Sequence, residues 1–171
     1  MKKTIARACL FSVLLFVALQ GGCRRQQSET PAGRLTGRSD CKVFIAGPAP
    51  AIIPPDEDEC IHYRYSGNTL VLAQRNAAFN CCPGEITAAI TVNGHVITIR
   101  ETEQEAGCSC LCLYDLEMEI SGLAPGVYRI QVEEPYLGGQ APLDIIVDLE
   151  QEGEGEHCLD RDGYPWETAG H

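Results

Sequence analysis

Thioredoxin-type redox centres and most structural zinc sites rely on a C-x-x-C spacing, and this chain contains none despite its ten cysteines. G-x-S-x-G, H-E-x-x-H and a glycine-rich phosphate loop are also missing, so no enzyme is expected. Basic residues are few, with 13 Lys and Arg against 24 Asp and Glu. Nucleic-acid binding needs clustered cations, and this composition argues against it. Aromatic residues make up 6% and tryptophan occurs once, which disfavours a stacking platform for sugars or bases. The longest apolar run, Ala8 to Leu19, is about a dozen residues, short of the ~20 that a membrane-spanning helix requires.

That run does have meaning as a leader. Lys2, Lys3 and Arg7 precede it, and Gln20-Gly21-Gly22 follows it. A cationic start, an apolar core and a small-residue exit are the three parts of a secretory signal peptide, here residues 1–22. Those residues carry three basic groups and no acidic one, so the remaining chain falls from a net charge of −11 to −14. Such a surface repels anionic lipid headgroups and favours cationic ligands, divalent metals or plain solubility.

Leu19 to Cys23 reads LQGGC. This segment resembles the lipobox of bacterial lipoprotein precursors, in which small residues precede a cysteine that becomes the lipidated N-terminus. The resemblance covers residues 1–23 and implies lipidation of Cys23, membrane attachment through it, and residence in the bacterial cell envelope on an extracytoplasmic face. Arg24 in the next place, by resemblance to enterobacterial sorting, favours the outer membrane. A multiply acylated cysteine holds a protein stably where one chain alone is marginal.

Residues 23–40 are polar, without period, and contain Pro and Gly, which reads as a flexible tether. Residues 151–171 form an acidic, glycine-spaced tail. Residues 41–150 between them are the size of one domain. Here short alternating segments and turn signals dominate. Ile61–Tyr65 and Thr69–Ala73 flank Gly67-Asn68 as a hairpin. Ile86–Val92 and His95–Ile99 flank Asn93-Gly94, which predicts a turn with positive φ at both central residues. Cys108–Ile120 forms a long strand, Pro125-Gly126 turns the chain back into Val127–Val132, and Leu143–Leu149 closes the set. About seven strands of this spacing predict an all-β fold, an antiparallel β-sandwich of immunoglobulin or fibronectin size stapled by disulfides. The stretch GLAPGVYRIQV resembles the late hairpin of fibronectin-type and carboxypeptidase-regulatory-type sandwiches, which carry L-x-P-G-x-Y; no named family follows from the rest.

Eight cysteines lie beyond the leader: Cys41, Cys60, Cys81, Cys82, Cys108, Cys110, Cys112 and Cys158. An exported chain meets an oxidising compartment, so all eight are expected in disulfides and no metal or cofactor is expected. Cys108, Cys110 and Cys112 share one strand face with Leu116, Met118 and Ile120, which aims them at the core. Neighbours on that face are too far apart to bridge one another, so each needs a partner on another segment. The expected map joins Cys81 and Cys82 to two of the three, Cys60 to the third, and Cys41 to Cys158 across the two ends. The competing reading is a metal or redox centre built from Cys81, Cys82, Cys108, Cys110 and Cys112, with His62 or His95 nearby.

Glu101, Glu103 and Glu105 alternate and read as a solvated edge, Asp56–Glu59 as an exposed loop, and Asp160-Arg161-Asp162-Gly163 as a solvated turn more than a calcium loop. Trp166 is expected to cover an apolar surface near Cys158. The function these features support is a lipid-anchored structural or binding module, whose partner is an envelope protein or a cationic ligand.

Overall fold

A computed structural model describes residues 30–42, 58–104 and 110–161. The leader, Cys23 and the LQGGC segment lie outside the described residues, as do Cys108, Glu105 and Trp166.

The described chain forms nine strands and no helix: β1 (Ala32–Arg38), β2 (Asp58–Ser66), β3 (Thr69–Asn80), β4 (Ile86–Asn93), β5 (Val96–Glu103), β6 (Leu111–Ser121), β7 (Val127–Glu133), β8 (Asp144–Asp148) and β9 (Glu154–Asp160). They make two sheets, ordered β1-β6-β3-β2-β9 and β4-β5-β7-β8. All pairings are antiparallel except β5 with β7, which run parallel because the chain between them crosses to the other sheet as β6. The expected disulfide-stapled all-β sandwich is therefore present.

Alternation builds the core. From one sheet come Ile61 and Tyr63, Leu70 and Leu72, and Leu116, Met118 and Ile120; from the other come Ile97, Ile99, Tyr128, Ile130, Val132 and Val147, all buried. Apolar burial of this kind contributes about 1.5–3 kcal/mol per large side chain. Cys112 and Tyr114 continue the inward row of β6, as the sequence period requires.

Two boundaries differ from the sequence reading. Part of the expected tether is β1, which pairs with β6 from Ala32↔Ser121 to Arg38↔Leu116. The expected tail begins as β9, paired with β2 from Asp58↔Asp160 to Arg64↔Glu154. Both segments alternate only weakly in hydrophobicity because an edge strand has one neighbour and, in β1, the inward row includes Gly33 and a register shift between Leu35 and Gly37 breaks the period. Gly33 is required there: a Cβ at this position would sit 2.4 Å from Cγ2 of Ile90, on β4 of the facing sheet.

Turn chemistry follows the sequence with one shift. Gly67 and Asn68 both have positive φ, at 57° and 66°, giving the mirror-image turn that suits a tight hairpin. In the next hairpin Asn93 pairs with Val96, so the central residues are Gly94 and His95, and only Gly94 has positive φ, at 60°. The turn is thus one with glycine in its first central place, and Asn93 stays in the strand. Pro125-Gly126 does not close a β6–β7 hairpin; it carries the chain from one sheet to the other. Tyr128 Oη donates back to the Ala124 carbonyl at 3.0 Å, fixing this corner in the manner of the tyrosine corner of sandwich domains.

β3 contains a bulge. Gln74 pairs with Leu116 and Ala77 with Tyr114, so β3 carries one residue more than β6 over this interval. Asn76 takes φ of 65°, and its backbone N–H donates to Asp115 Oδ1 at 3.2 Å. Burial pushes the Asp115 carboxyl up, but hydrogen bonds from Lys42, Asn76 and Arg75 outweigh it and hold the group below the usual carboxylate range. The extra residue changes parity: Leu70, Leu72 and Gln74 face inward before the bulge, Ala77 and Phe79 after it.

Candidate functional site

Six cysteines pair into three disulfides: Cys41–Cys112, Cys60–Cys158 and Cys81–Cys110. Cys82 is disulfide-bonded as well. Cys81 does join one member of the C-x-C-x-C group. The expected Cys41–Cys158 pair is corrected by the edge strands. β1 lies beside β6, which brings Cys41 to Cys112, and β9 lies beside β2, which sets Cys158 directly opposite Cys60. Each of these bridges joins neighbouring strands or their ends within the five-stranded sheet. The sulfurs of the competing metal or redox cluster that are described are thus committed to covalent bonds. His95 is engaged elsewhere, its Nδ1 2.8 Å from the Val127 carbonyl oxygen and its ring stacked on Tyr128.

Charged residues meet inside one end of the sandwich. Arg161 is 2% exposed, Glu59 is fully buried, and the side chain of Glu134 is 3% exposed. Arg161 donates through Nε to Glu59 Oε2 at 2.9 Å, through Nη2 to Glu134 Oε2 at 2.9 Å, and through Nη1 to the Ala141 carbonyl at 2.5 Å. Gln74 Nε2 donates to the other oxygen of Glu59 at 2.5 Å. Glu101 is buried beside this group without a hydrogen-bond partner for either oxygen, and Gln74 Oε1 also lacks one. Burial, with the charges of Glu59 and Glu134, pushes the Glu101 carboxyl well above its ordinary range. Burial and Glu59 raise Glu134 to about 8, against the pull of Arg161.

The sequence reading placed Glu59, Glu101 and Arg161 in solvent, and each is buried. The signal was parity. Glu59 precedes Ile61 and Tyr63, Glu101 follows Ile97 and Ile99, Glu134 follows Ile130 and Val132, and Gln74 follows Leu70 and Leu72, all on inward-facing positions. Each polar side chain is the next inward place of an apolar row, and the rows end together. Buried charges persist only when paired, which is why one arginine is shared between two carboxylates.

The outer face of the same sheet carries a shallow groove of about 440 Å³ lined by His62, Arg64, Val71, Ala73, Glu154 and Glu156. These come from β2, β3 and β9, whose outward rows are polar on β9 and mixed on β3. His62 Nε2 lies 3.0 Å from Glu156 Oε1, with both side chains about half exposed. No family model, curated protein or solved structure matches the chain.

Proposed function

We propose that the chain is a lipid-anchored, extracytoplasmic structural or binding module of a bacterial cell envelope, attached through Cys23. The observation that carries this reading is the use of sulfur: both edge strands of the larger sheet are fastened to their neighbours by disulfides, Cys41–Cys112 and Cys60–Cys158. Bridges of this number persist in oxidising compartments. The leader and the LQGGC segment supply the route and the anchor.

Binding is assigned to the β9-β2-β3 outer face. Glu154 and Glu156 offer charge to a cationic group, and Val71 with Ala73 offers a short apolar floor. An envelope protein that presents a basic residue beside a small apolar one suits this surface.

Fractionation tests the anchor. Wild-type chain should sediment with membranes and carry acyl mass, while Cys23→Ser should appear in the soluble fraction. Equal distribution of the two would overturn the reading. Val71→Glu, on the groove floor, should abolish cross-linking to the envelope partner captured by wild type; unchanged cross-linking would remove the groove from the proposal.

A further inference from the structure

We propose that the Cys60–Cys158 disulfide is a redox latch over a zinc site, which Cys60, Cys158, Glu156 and His62 form once the bridge is reduced. The four residues occupy two cross-strand pairs on the outer face of β2 and β9. Cys60 stands opposite Cys158, and His62 stands opposite Glu156 two places along. The Cα atoms of the cysteines are 4.0 Å apart, the narrow kind of antiparallel pair in which side chains approach most closely. The pair two places along is of the same kind.

The donor atoms are already gathered. Cys158 Sγ is 3.5 Å from Glu156 Oε1, Glu156 Oε1 is 3.0 Å from His62 Nε2, and the donor atoms of Cys60, Glu156 and Cys158 all lie within 4.8 Å of one another. Among the described residues no other group of three His, Cys, Asp or Glu donors comes together so closely. Tetrahedral zinc, with bonds of roughly 2.0–2.3 Å, sets its ligand atoms about 3.3–3.8 Å apart. The carboxylate–imidazole and carboxylate–Cys158 spacings are near that already, while His62 stands outside the 4.8 Å group and reaches it through Glu156. Reduction frees the two sulfurs to separate, and a rotation of the half-exposed His62 side chain brings its ring to them. Two thiolates, an imidazole and a carboxylate form a donor set that suits zinc over calcium or magnesium.

Accessibility separates this bridge from Cys41–Cys112: Cys158 is exposed, whereas Cys112 is 3% exposed. Cys81–Cys110 also has an exposed member, Cys110, but among the described residues it lacks the flanking histidine and carboxylate donors. Exposed disulfides are the labile ones. A dithiol reductant attacks one sulfur through its thiolate, forms a mixed disulfide, and closes its own disulfide with its second thiol. Its two electrons and two protons leave Cys60 and Cys158 as thiols. Zinc then displaces both thiol protons to solvent.

The test uses the full-length chain in mild detergent, graded exposure to dithiothreitol, and zinc or cobalt alone as probe. Differential alkylation should find Cys60 and Cys158 reduced before Cys41 and Cys112. At that point the protein should take up about one equivalent of zinc and give the thiolate charge-transfer absorption of bound cobalt, while the oxidised chain does neither. His62→Ala and Glu156→Gln leave the bridge intact for folding, and each should weaken zinc binding after reduction at least tenfold. Equal zinc uptake by oxidised and reduced chain, uptake indifferent to both substitutions, or opening of Cys41–Cys112 before Cys60–Cys158 would each overturn the proposal.

Discussion

Arg161 and Glu59 are joined by a 2.9 Å hydrogen bond across 102 residues of chain, with neither side chain open to solvent. The pair connects the segment just after β9 to the start of β2, and Arg161 also holds Glu134 at the end of β7. Replacing the arginine leaves two buried carboxylates without their cation. Arg161→Met should therefore cost about 3–5 kcal/mol in urea unfolding. Adding Glu59→Gln to that variant should recover part of the loss, since the amide removes a buried charge. A single variant as stable as wild type would mean that the pair contributes nothing.

Stability should also fall as pH rises. Glu134, raised to about 8, and Glu101, also raised, keep protons in the folded chain that an unfolded chain releases near the ordinary carboxylate range. Between that range and about pH 8 the folded state binds more protons, so unfolding becomes easier with each step upward. The melting temperature at pH 5.5 should exceed that at pH 8.5 by several degrees. Glu101→Gln, neutral at both, should flatten the slope. A profile with maximum stability at the alkaline end would contradict this.

Gly33 allows β1 to approach β4. A Cβ there meets Ile90 Cγ2 at 2.4 Å, so Gly33→Ala should destabilise by about 1–3 kcal/mol. Gly37 on the same strand is the control, because its added Cβ would meet nothing closer than Glu117 Oε2 at 3.4 Å. Gly37→Ala should stay within about 0.5 kcal/mol of wild type. Calorimetry on the two variants checks the difference.

Non-reducing peptide mapping should recover the three described bridges and a fourth joining Cys82 to Cys108. Cys82 is bonded, and beyond Cys23, which the lipid would occupy, Cys108 is the one sulfur not already placed. A Cys82 peptide linked to Cys23 would contradict both this pairing and lipidation.

The hairpins, the inward face of β6 and the all-β class were legible because they depend on local period and turn residues. The register of the second hairpin was off by one residue because Asn-Gly predicts its own turn, while β4 and β5 pair through Asn93 and Val96. Cys41–Cys112 and Cys60–Cys158 were beyond local reading. They follow from which strands become neighbours, and Ala32–Arg38 and Glu154–Asp160 look like linker until a partner strand is beside them. The buried glutamates were readable in principle: extending the rows of Ile97 and Ile99, or of Ile61 and Tyr63, by one inward step reaches Glu101 and Glu59. Charge alone argued for solvent, and a cation supplied from 102 residues away overruled it.

The placement of Cys41 just beyond β1 has a mechanical consequence. Tension arriving from the chain ahead of Ala32 acts first on an edge strand, which can peel from β6 one backbone pair at a time. Peeling ends at the covalent link to Cys112, after roughly 30 Å of slack for some ten residues. The domain thus has a built-in extensible leash, whose length is set by the distance in sequence from Ala32 to Cys41, and once it is taut the load enters the sheet at one covalent point on β6, an interior strand.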